Sequence, residues 1–317
     1  MTRIALLTTG GTIAMADTGQ GAQLGATPPF VAMLNRALPD IEITLIPVLS
    51  RPSSSFTLAD IAKIADAAAR ASASHDGVVI THGTDVLEET AFALELLLRT
   101  DTPVVLTGAM RLANQPSADG DANLIAACRV AASPQARAKG VLVVFDDEIH
   151  WGPLARKRHA FRTHAFSSEP FGPLGWVVEG RIRLMLAPQQ RLPQLSWGGR
   201  ETVVPILEAG PGLEPALIRN LPPCDALVLS LPGGGHVADT TPALLEGLPM
   251  PVVFASRTGA GETLSKSYGY GGGDIDLVAR GLIGSRWLDA RRARITLGIL
   301  LSNGATKADI AAFFAGL

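Results

Sequence analysis

The amino-acid sequence predicts an α/β protein. Short runs of apolar, often β-branched residues alternate with Ala- and Leu-rich segments of helical character along most of the chain. The strand segments, such as GVVIT at 77–81, are almost continuously apolar, which is typical of strands buried on both faces of a parallel sheet. A polar stretch rich in proline and glycine interrupts this alternation after residue 188.

That interruption predicts two domains, for which a length of 317 residues is sufficient. The larger N-terminal domain, residues 1–190, is predicted to be a doubly wound parallel sheet, and residues 191–200 a linker. The alternation resumes in residues 201–317, which are predicted to form a smaller C-terminal α/β domain of the flavodoxin or Rossmann type.

Five strands and four helices are expected in the larger domain. Prolines at 28–29 favour the start of the first helix, and Thr57 with Asp60 three residues later is typical of the N-cap of the second. The strands lie in RIALLTT, IEITLIPVL, GVVIT, PVVLT and KGVLVVFDD, and the helices in PPFVAMLNRAL, TLADIAKIADAAARAS, VLEETAFALELLLRT and ADGDANLIAACRVAAS. In the smaller domain the last two helices are expected in ARITLGILLSNG and TKADIAAFFAGL.

Composition argues against several function classes. The net charge of −2 gives no reason to expect a nucleic-acid or membrane partner, and the basic clusters at 156–159 and 291–294 are interpreted as solvated surface. Cys128 and Cys224 lack the spacing of a zinc or redox motif and are expected to be buried thiols. No segment has the roughly 18 apolar residues of a membrane span. The N-terminus shows no signal peptide, so a cytoplasmic location is expected.

Hydroxyl and glycine residues collect where strands end. LLTTGGT, VVITHGT, VVLTGAM and LVLSLPGGG each pass from apolar residues to Thr or Ser and then to Gly. The carboxyl ends of parallel strands lie at one edge of the sheet, where open α/β folds bind ligands. Thr12, the turn from His82 to Asp85 and the turn at Thr107 and Gly108 are therefore expected to converge.

The residues at this edge favour an activated threonine over other chemistries. The chain has neither a GxGxxG spacing nor a GxxxxGK[ST] motif for phosphate, no defensible set of metal ligands and no GxSxG elbow. A threonine hydroxyl needs a neighbouring base, which a buried lysine can provide with help from an aspartate. Asp85 and Lys157 are the candidates, although Lys157 could equally be an ordinary surface residue.

Two longer motifs resemble the signatures of the bacterial L-asparaginase and glutaminase family. They are TTGGTIA at 8–14 and THGTDVLEETA at 81–91. The resemblance continues through VVLTGAMR, SADGDANL, GVLVVFDDEIHWG and GPLGW into the C-terminal domain. It implies hydrolysis of the side-chain amide of asparagine to aspartate and ammonia, without a cofactor or a metal, in a homo-oligomer such as a dimer or tetramer.

The resemblance also implies roles for individual residues. Thr12 corresponds to the nucleophile that forms an acyl-enzyme, and Thr84, Asp85 and Lys157 to the group that moves protons and activates water. Asp85 would in addition hold the α-amino group of the substrate. The substrate-binding residues that match are Gly11, Ser53, Ser54, Gly83 and Ala109.

The serine assignment depends on how the loop is aligned. An ungapped alignment selects Ser50, whereas a loop about three residues shorter selects Ser53 and places Phe56 at the apolar position of the family pattern. We prefer Ser53 for that reason. Ser54 stands where family members often have glutamine.

The chain departs from the family pattern in three places. The glycine-rich segment 15–29, expected to be a mobile lid, lacks the tyrosine that often activates the nucleophile, and the tyrosines of the chain are Tyr268 and Tyr270. The C-terminal glycine turn offers Gly235 or His236 where some members have asparagine. Glu262 is a candidate for the glutamate that a neighbouring subunit contributes in the family.

These departures keep three functions open. An L-asparaginase is the leading hypothesis. An L-glutaminase or a broader amidase is the alternative with the same chemistry, because one methylene changes discrimination by only about 1–3 kcal/mol. A protein that binds a small amino acid without turning it over is the alternative of another class, favoured by the missing tyrosine.

Overall fold

The computed structural model describes residues 1–17, 22–24, 30–211 and 215–317 of the chain. The chain divides into two compact units, Met1–Gln194 and Leu195–Leu317. The division falls within the segment 191–200 that was predicted to be a linker. Each unit contains its own sheet, its own helices and its own apolar core.

The first unit is built from short strands and four helices. Its helices are α1 (Val31–Ala37), α2 (Leu58–Ser72), α3 (Leu87–Leu97) and α4 (Gly120–Ala132). Its strands are β1 (Thr2–Thr8), β2 (Met15–Asp17), β3 (Ala22–Leu24), β4 (Ile41–Pro47), β5 (Gly77–Thr81), β6 (Val104–Thr107), β7 (Val141–Phe145), β8 (Glu148–Trp151), β9 (Arg156–Lys157), β10 (Phe166–Ser167), β11 (Gly175–Val178) and β12 (Arg181–Leu184).

Eight of these strands form one sheet in the order β12-β11-β8-β7-β6-β5-β1-β4. Strands β7, β6, β5, β1 and β4, which are neighbours in that order, pair in parallel, as the sequence predicts. Strands β8, β11 and β12 extend this sheet in antiparallel fashion, so the sheet is mixed rather than wholly parallel.

Two tight hairpin turns explain the antiparallel extension that the sequence analysis did not predict. Asp146 and Asp147, between β7 and β8, both have positive φ angles, 51° and 61°. Glu179 and Gly180, between β11 and β12, have φ angles of 50° and 75°. Two consecutive left-handed residues produce the turn that suits a two-residue β-hairpin. The chain thus reverses at once where a crossover helix would have been needed for another parallel strand.

The core of the first unit lies on both faces of the parallel strands. All residues of β5, β6 and β7 are buried, which accounts for their continuously apolar sequences. Side chains such as Leu6 and Val79 pack with residues of α1 and α4 on one face. Successive side chains alternate in direction, and α2 and α3 pack against the parallel strands as well.

The predicted start of α2 is confirmed in detail. The Thr57 hydroxyl accepts the backbone N–H of Asp60 at 3.3 Å, and the Asp60 carboxylate accepts the backbone N–H of Thr57 at 3.0 Å. This reciprocal capping box satisfies two amide groups that the first helical turn leaves without partners. The prolines expected to begin α1 fall within 25–29, outside the described residues.

The second unit contains a four-stranded parallel sheet whose strands are neighbours in the order of the sequence. The two helices predicted at the C-terminus are confirmed, whereas the helix Asp274–Ala279 and the strand Ile283–Gly284 were not predicted. The strands are β13 (Ile206–Glu208), β14 (Leu227–Leu231), β15 (Val252–Ser256) and β16 (Ile283–Gly284), and the helices are α5 (Pro215–Arg219), α6 (Pro242–Glu246), α7 (Asp274–Ala279), α8 (Ala290–Ser302) and α9 (Lys307–Ala315).

Two smaller expectations need correction. Arg292, which was interpreted as solvated surface, is only 2% exposed, because its guanidinium pairs with the Asp289 carboxylate that caps α8. Cys128 is buried as expected, whereas Cys224 is only partly buried, and both thiols are free. In the described part of the chain no helix is long and apolar enough to cross a membrane.

Candidate active site

Three neighbouring strand ends bring the predicted site residues to one edge of the first unit's sheet. Thr8 of β1 pairs with Thr81 of β5, and Thr81 pairs in turn with Thr107 of β6. The turns that follow these strands therefore begin side by side. This arrangement is the convergence that the parallel topology predicts.

The turn after β1 touches the turn after β5 through two glycines. Gly10 and Gly11 have φ angles of 98° and 85°, in the left-handed region that favours glycine. A Cβ atom on Gly11 would lie 2.4 Å from the backbone nitrogen of Gly83, closer than any real contact. Thr12 directly follows Gly11, and Thr84 directly follows Gly83. The tight backbone contact between the two glycines therefore brings the two hydroxyl-bearing residues close together.

Thr84, Asp85 and Lys157 form a polar cluster beside that contact. The Lys157 Nζ atom lies 2.8 Å from the Thr84 hydroxyl and 3.4 Å from an Asp85 carboxylate oxygen. The Lys157 side chain is 17% exposed and the Asp85 side chain 64% exposed. The lysine is thus not the ordinary surface residue that the sequence left open. It is largely enclosed, with its nitrogen on a threonine hydroxyl.

Ser53 lies against the same glycine turn. A Cβ atom on Gly83 would be 2.6 Å from the Ser53 hydroxyl oxygen, so only glycine leaves room for it. Ser53 is 2% exposed, and its hydroxyl has no hydrogen-bond partner among the residues that the structure describes. Ser50 and Ser54 are both exposed. A buried hydroxyl without a protein partner in the described structure is available to bind a ligand.

His82 stabilises the turn between Thr81 and Thr84. Its Nδ1 atom lies 2.6 Å from the Gly83 carbonyl oxygen, so this nitrogen carries the hydrogen and donates it. The Phe56 ring packs edge-on against the imidazole at 5.0 Å. Burial lowers the pKa of His82 to about 4, which keeps the ring neutral near neutral pH. At the sequence level His82 was expected at this edge of the sheet, but its side chain was assigned no role in supporting the turn.

Two residues that the sequence analysis did not single out support the third turn, at Gly108 and Ala109. The Asn123 amide donates to the Gly108 carbonyl and to Asp119, each at 3.0 Å. The Asp119 carboxylate accepts the backbone N–H groups of Met110 and Arg111. Both residues belong to the quoted SADGDANL segment, but the Asp119 side chain does not cap the helix that follows it, so the N-cap pattern would not have indicated this role.

The start of α4 also links this third turn to the segment that contains Thr12. A Cβ atom on Gly120 would lie 3.1 Å from the Ile13 side chain and 3.3 Å from that of Ala109. Ile13 directly follows Thr12, and Ala109 is 1% exposed. The segment of Thr12 and the turn of Ala109 are therefore packed against a single helix end.

Comparison with known proteins agrees with this geometry. A family model described as "Asparaginase, N-terminal" matches residues 3–190, and one described as "Glutaminase/Asparaginase C-terminal domain" matches residues 203–314. The chain belongs to the asparaginase family.

Relatives within the asparaginase family resemble the chain over more than half of its length. A probable L-asparaginase of Deinococcus radiodurans is 37% identical, covering 98% of this chain and 97% of the relative. A glutaminase-asparaginase of Pseudomonas aeruginosa is 40% identical over 60% of this chain and 55% of its own. The crystal structure of a probable cytoplasmic L-asparaginase from Campylobacter jejuni has a TM-score of 0.85 at 29% identity, covering 99% of both chains.

The remaining predicted residues lie in the second unit or in the lid segment. The His236 ring packs edge-on against the rings of Tyr268 and Tyr270, at 4.8 and 5.8 Å. Glu262 forms an ion pair with Arg286 at 3.3 Å. Gly235 has a φ angle of 106°. Of the predicted lid, 15–29, residues 18–21 and 25–29 lie outside the described part of the chain.

Metal chemistry was not expected at this site. Within the ranges that the structure describes, no group of three or more His, Cys, Asp or Glu residues has an arrangement that could hold a metal ion. The chemical groups available at the edge are two threonine hydroxyls, a lysine, an aspartate and several backbone amides. Such a set suits nucleophilic attack with proton transfer.

Proposed function

We propose that this member of the asparaginase family hydrolyses the side-chain amide of L-asparagine to L-aspartate and ammonia, with Thr12 as the nucleophile. The observation that carries the proposal is the 2.8 Å contact between the Lys157 Nζ atom and the Thr84 hydroxyl, next to the glycine contact that positions Thr12. A lysine on a hydroxyl at a ligand-binding sheet edge is the arrangement that proton transfer requires.

The reaction would proceed in two steps through an ester formed on Thr12. The Thr12 oxygen attacks the amide carbon, the C–N bond breaks, and the hydroxyl proton leaves with the amide nitrogen as ammonia. The resulting ester is then attacked by water, which regenerates the Thr12 hydroxyl and releases aspartate. Splitting the hydrolysis in this way replaces one difficult step by two easier ones.

Lys157 and Thr84 would carry out the proton transfers of these steps. With Nζ charged, the 2.8 Å contact is donated by the ammonium to the hydroxyl; with Nζ neutral, the hydroxyl donates and the nitrogen accepts. The pair can thus take a proton from the attacking water and return it. Asp85, largely exposed beside Lys157, would bind the α-amino group of the substrate through opposite charge.

The backbone edge would hold the rest of a small substrate. Gly11 and Gly83 have no side chains to exclude it, and the buried Ser53 hydroxyl supplies a polar group that lacks a partner in the described structure. Ala109 would contribute its backbone from the third turn. Ser54, although predicted to bind substrate, is exposed to solvent and would have to reach the substrate from the rim of the site.

The first test is ammonia release by the purified chain supplied with asparagine and then with glutamine. We expect release from asparagine that is abolished in Thr12→Ala, while circular dichroism shows an unchanged fold. Ammonia release by Thr12→Ala near the wild-type rate would refute the nucleophile assignment. Binding of aspartate by calorimetry, together with no release from any amide, would instead support a non-catalytic binding protein.

Glutamine hydrolysis is the second candidate activity. Relatives from two Pseudomonas species are called glutaminase-asparaginase, which favours it. The extra methylene of glutamine is worth only about 1–3 kcal/mol of discrimination in a pocket. The ratio of kcat/KM for the two amino acids therefore decides between an asparagine-specific and a dual enzyme.

We further infer a homo-oligomer located in the cytoplasm. The support for the location is similarity to a protein described as a probable cytoplasmic L-asparaginase. Sedimentation at working concentration should show a dimer or tetramer. A monomer there, or activity confined to a periplasmic fraction of cells that express the native gene, would contradict the respective inference.

A further inference from the structure

Glu88 is a buried carboxylate that contacts the segment of Lys157. It lies in the first turn of α3, is 3% exposed, and accepts the backbone N–H of Lys157 at 2.6 Å, from a residue 69 positions away. A carboxylate in the first turn of a helix is also favoured by the helix dipole. None of the sequence motifs suggested a role for this side chain in the site.

The backbone of Lys157 belongs to a short structural element. Strand β9 consists of Arg156 and Lys157 and pairs with the equally short β10, with Lys157 opposite Phe166. These two strands form a small sheet separate from the eight-stranded one. A two-stranded pair of this length has little stability of its own, so contacts to the rest of the unit must hold it in place.

We propose that Glu88 is a positioning residue that holds Lys157 at the correct distance from Thr84. The inference rests on the proposed function, since it concerns the proton-transfer role assigned to Lys157. Both ends of the lysine are bound by one continuous segment: Thr84 receives the side-chain nitrogen at 2.8 Å, and Glu88, four residues later, receives the backbone nitrogen at 2.6 Å.

This double attachment has a chemical consequence. Thr84 lies three residues after the end of β5, and Glu88 lies in the helix that begins three residues after Thr84, so the two anchors are fixed relative to each other by the fold. Loss of the Glu88 anchor would let β9 shift and the lysine nitrogen leave the hydroxyl. A displacement of 1 Å in a catalytic group can cost about 10²-fold in rate.

The experiment uses Glu88→Gln and Glu88→Ala, with Glu89→Gln and Glu89→Ala as matched controls in the same helical turn. Turnover is expressed per aspartate-binding site counted by calorimetry, so that misfolded protein does not contribute. We expect kcat to fall about 10²-fold in Glu88→Ala with KM little changed. Glu88→Gln keeps an acceptor oxygen and should lose about tenfold. A loss in Glu88→Ala no greater than in Glu89→Ala would overturn the proposal.

Combining Glu88→Ala with Lys157→Met distinguishes positioning from a general structural role. If Glu88 acts through Lys157, its replacement should change kcat by less than twofold once the lysine is gone, because residues that act as a unit are not additive. Full additivity of the two effects would mean that Glu88 acts elsewhere. Should Glu88→Ala fail to fold, the same cycle is run with Glu88→Gln.

A second readout does not depend on turnover. The rate at which acetic anhydride acetylates Lys157, followed by mass spectrometry, should rise several-fold in Glu88→Ala and stay at the wild-type value in Glu89→Ala. If wild-type protein releases no ammonia, the proposed function fails, yet this labelling still decides whether Glu88 holds the lysine. An unchanged labelling rate in Glu88→Ala would refute the positioning role.

Discussion

The two units end their parallel strands in similar sequences but build different structures from them. In the first unit the glycines after β1, β5 and β6 meet backbone or a buried serine: Gly11 abuts Gly83, Gly83 abuts Ser53, and Gly108 abuts the His82 carbonyl. In the second unit two of the three glycines after β14 meet apolar side chains, with Gly234 against Leu264 and Gly235 against Phe254.

The hydroxyl groups differ in the same way. At the first edge the Thr84 hydroxyl binds the Lys157 nitrogen, and the buried Ser53 hydroxyl has no partner in the described structure. At the second edge the Ser256 hydroxyl donates to the Gly233 carbonyl at 2.7 Å and lies 2.8 Å from the Thr258 hydroxyl. A hydroxyl and glycine at a strand end therefore do not suffice for a site. In a site, the hydroxyl must also not be engaged in a hydrogen bond within its own loop.

The largest expected contrast between the two edges concerns lysines. Lys157→Met removes the nitrogen that contacts Thr84, so kcat should fall by about 10²–10⁴-fold, the usual contribution of a positioned acid or base. Lys266→Met removes an exposed lysine of the second unit and serves as the control. Steady-state ammonia release measures both. Equal activities of the two variants would remove the chemical distinction between the edges.

The next prediction compares two glycines, one from each unit, that have nearly the same φ angle. Gly11 and Gly261 have φ angles of 85° and 82°, but a Cβ atom clashes with Gly83 only at Gly11, and at Gly261 it meets nothing within 4 Å. Both alanine variants carry a left-handed penalty of about 1–2 kcal/mol. Gly11→Ala should also displace Thr12 and lose about 10²-fold in kcat/KM.

Gly261→Ala is the matched control for this effect and should keep its activity. Urea unfolding would confirm that both proteins are folded under the assay conditions. Comparable loss of kcat/KM in the two variants would show that backbone strain, and not the contact between Gly11 and Gly83, is what matters.

A smaller effect is expected at the serines. Ser53→Ala should raise KM about 10- to 100-fold, because a hydrogen bond to a charged substrate group contributes about 1.5–3 kcal/mol. Its free energy of unfolding without ligand should stay the same or rise, since a buried hydroxyl without a partner in the described structure is removed. Ser256→Ala should leave KM unchanged. A lower stability of Ser53→Ala with unchanged KM would place the hydroxyl in a structural role.

The last expected effect concerns stability against acid, not turnover, and originates in the first unit. Burial lowers the pKa of both His82 and His150 to about 4, against 6.5 for an exposed histidine. Below pH 6.5 the unfolded chain therefore binds protons that the folded chain does not. The free energy of unfolding should fall as pH drops from 6.5 to about 4, by up to about 1.4 kcal/mol per pH unit for each histidine.

Urea unfolding of His82→Asn across this pH range measures the effect. Asparagine keeps a donor for the Gly83 carbonyl but cannot take up a proton, so the slope should become shallower than in wild type. His75→Gln, at a partly exposed histidine, is the control. An unchanged slope in His82→Asn would mean that His82 is protonated while the protein is still folded.

Local patterns predicted much of the fold because they act over a few residues. The apolar runs predicted the parallel strands, and Thr57 with Asp60 predicted the cap of α2. The mixed sheet was missed because it depends on left-handed angles at Asp146 and Asp147, which the residue types permit without requiring. The burial of Arg292 was missed because a charged run indicates surface unless a partner such as Asp289 is at hand.

What the sequence determined by itself was the order of strands and helices, the strand-end residues and, through two long motifs, the family. Only the tertiary structure decided which of these residues touch. Gly11 and Gly83, Thr84 and Lys157, and Glu88 and Lys157 are each about seventy positions apart or more, and their contacts depend on how strands and loops pack. The physical reason is range: helix caps and strand patterns are set by neighbours in the chain, whereas a close backbone approach or a lysine on a hydroxyl exists only after distant segments are assembled.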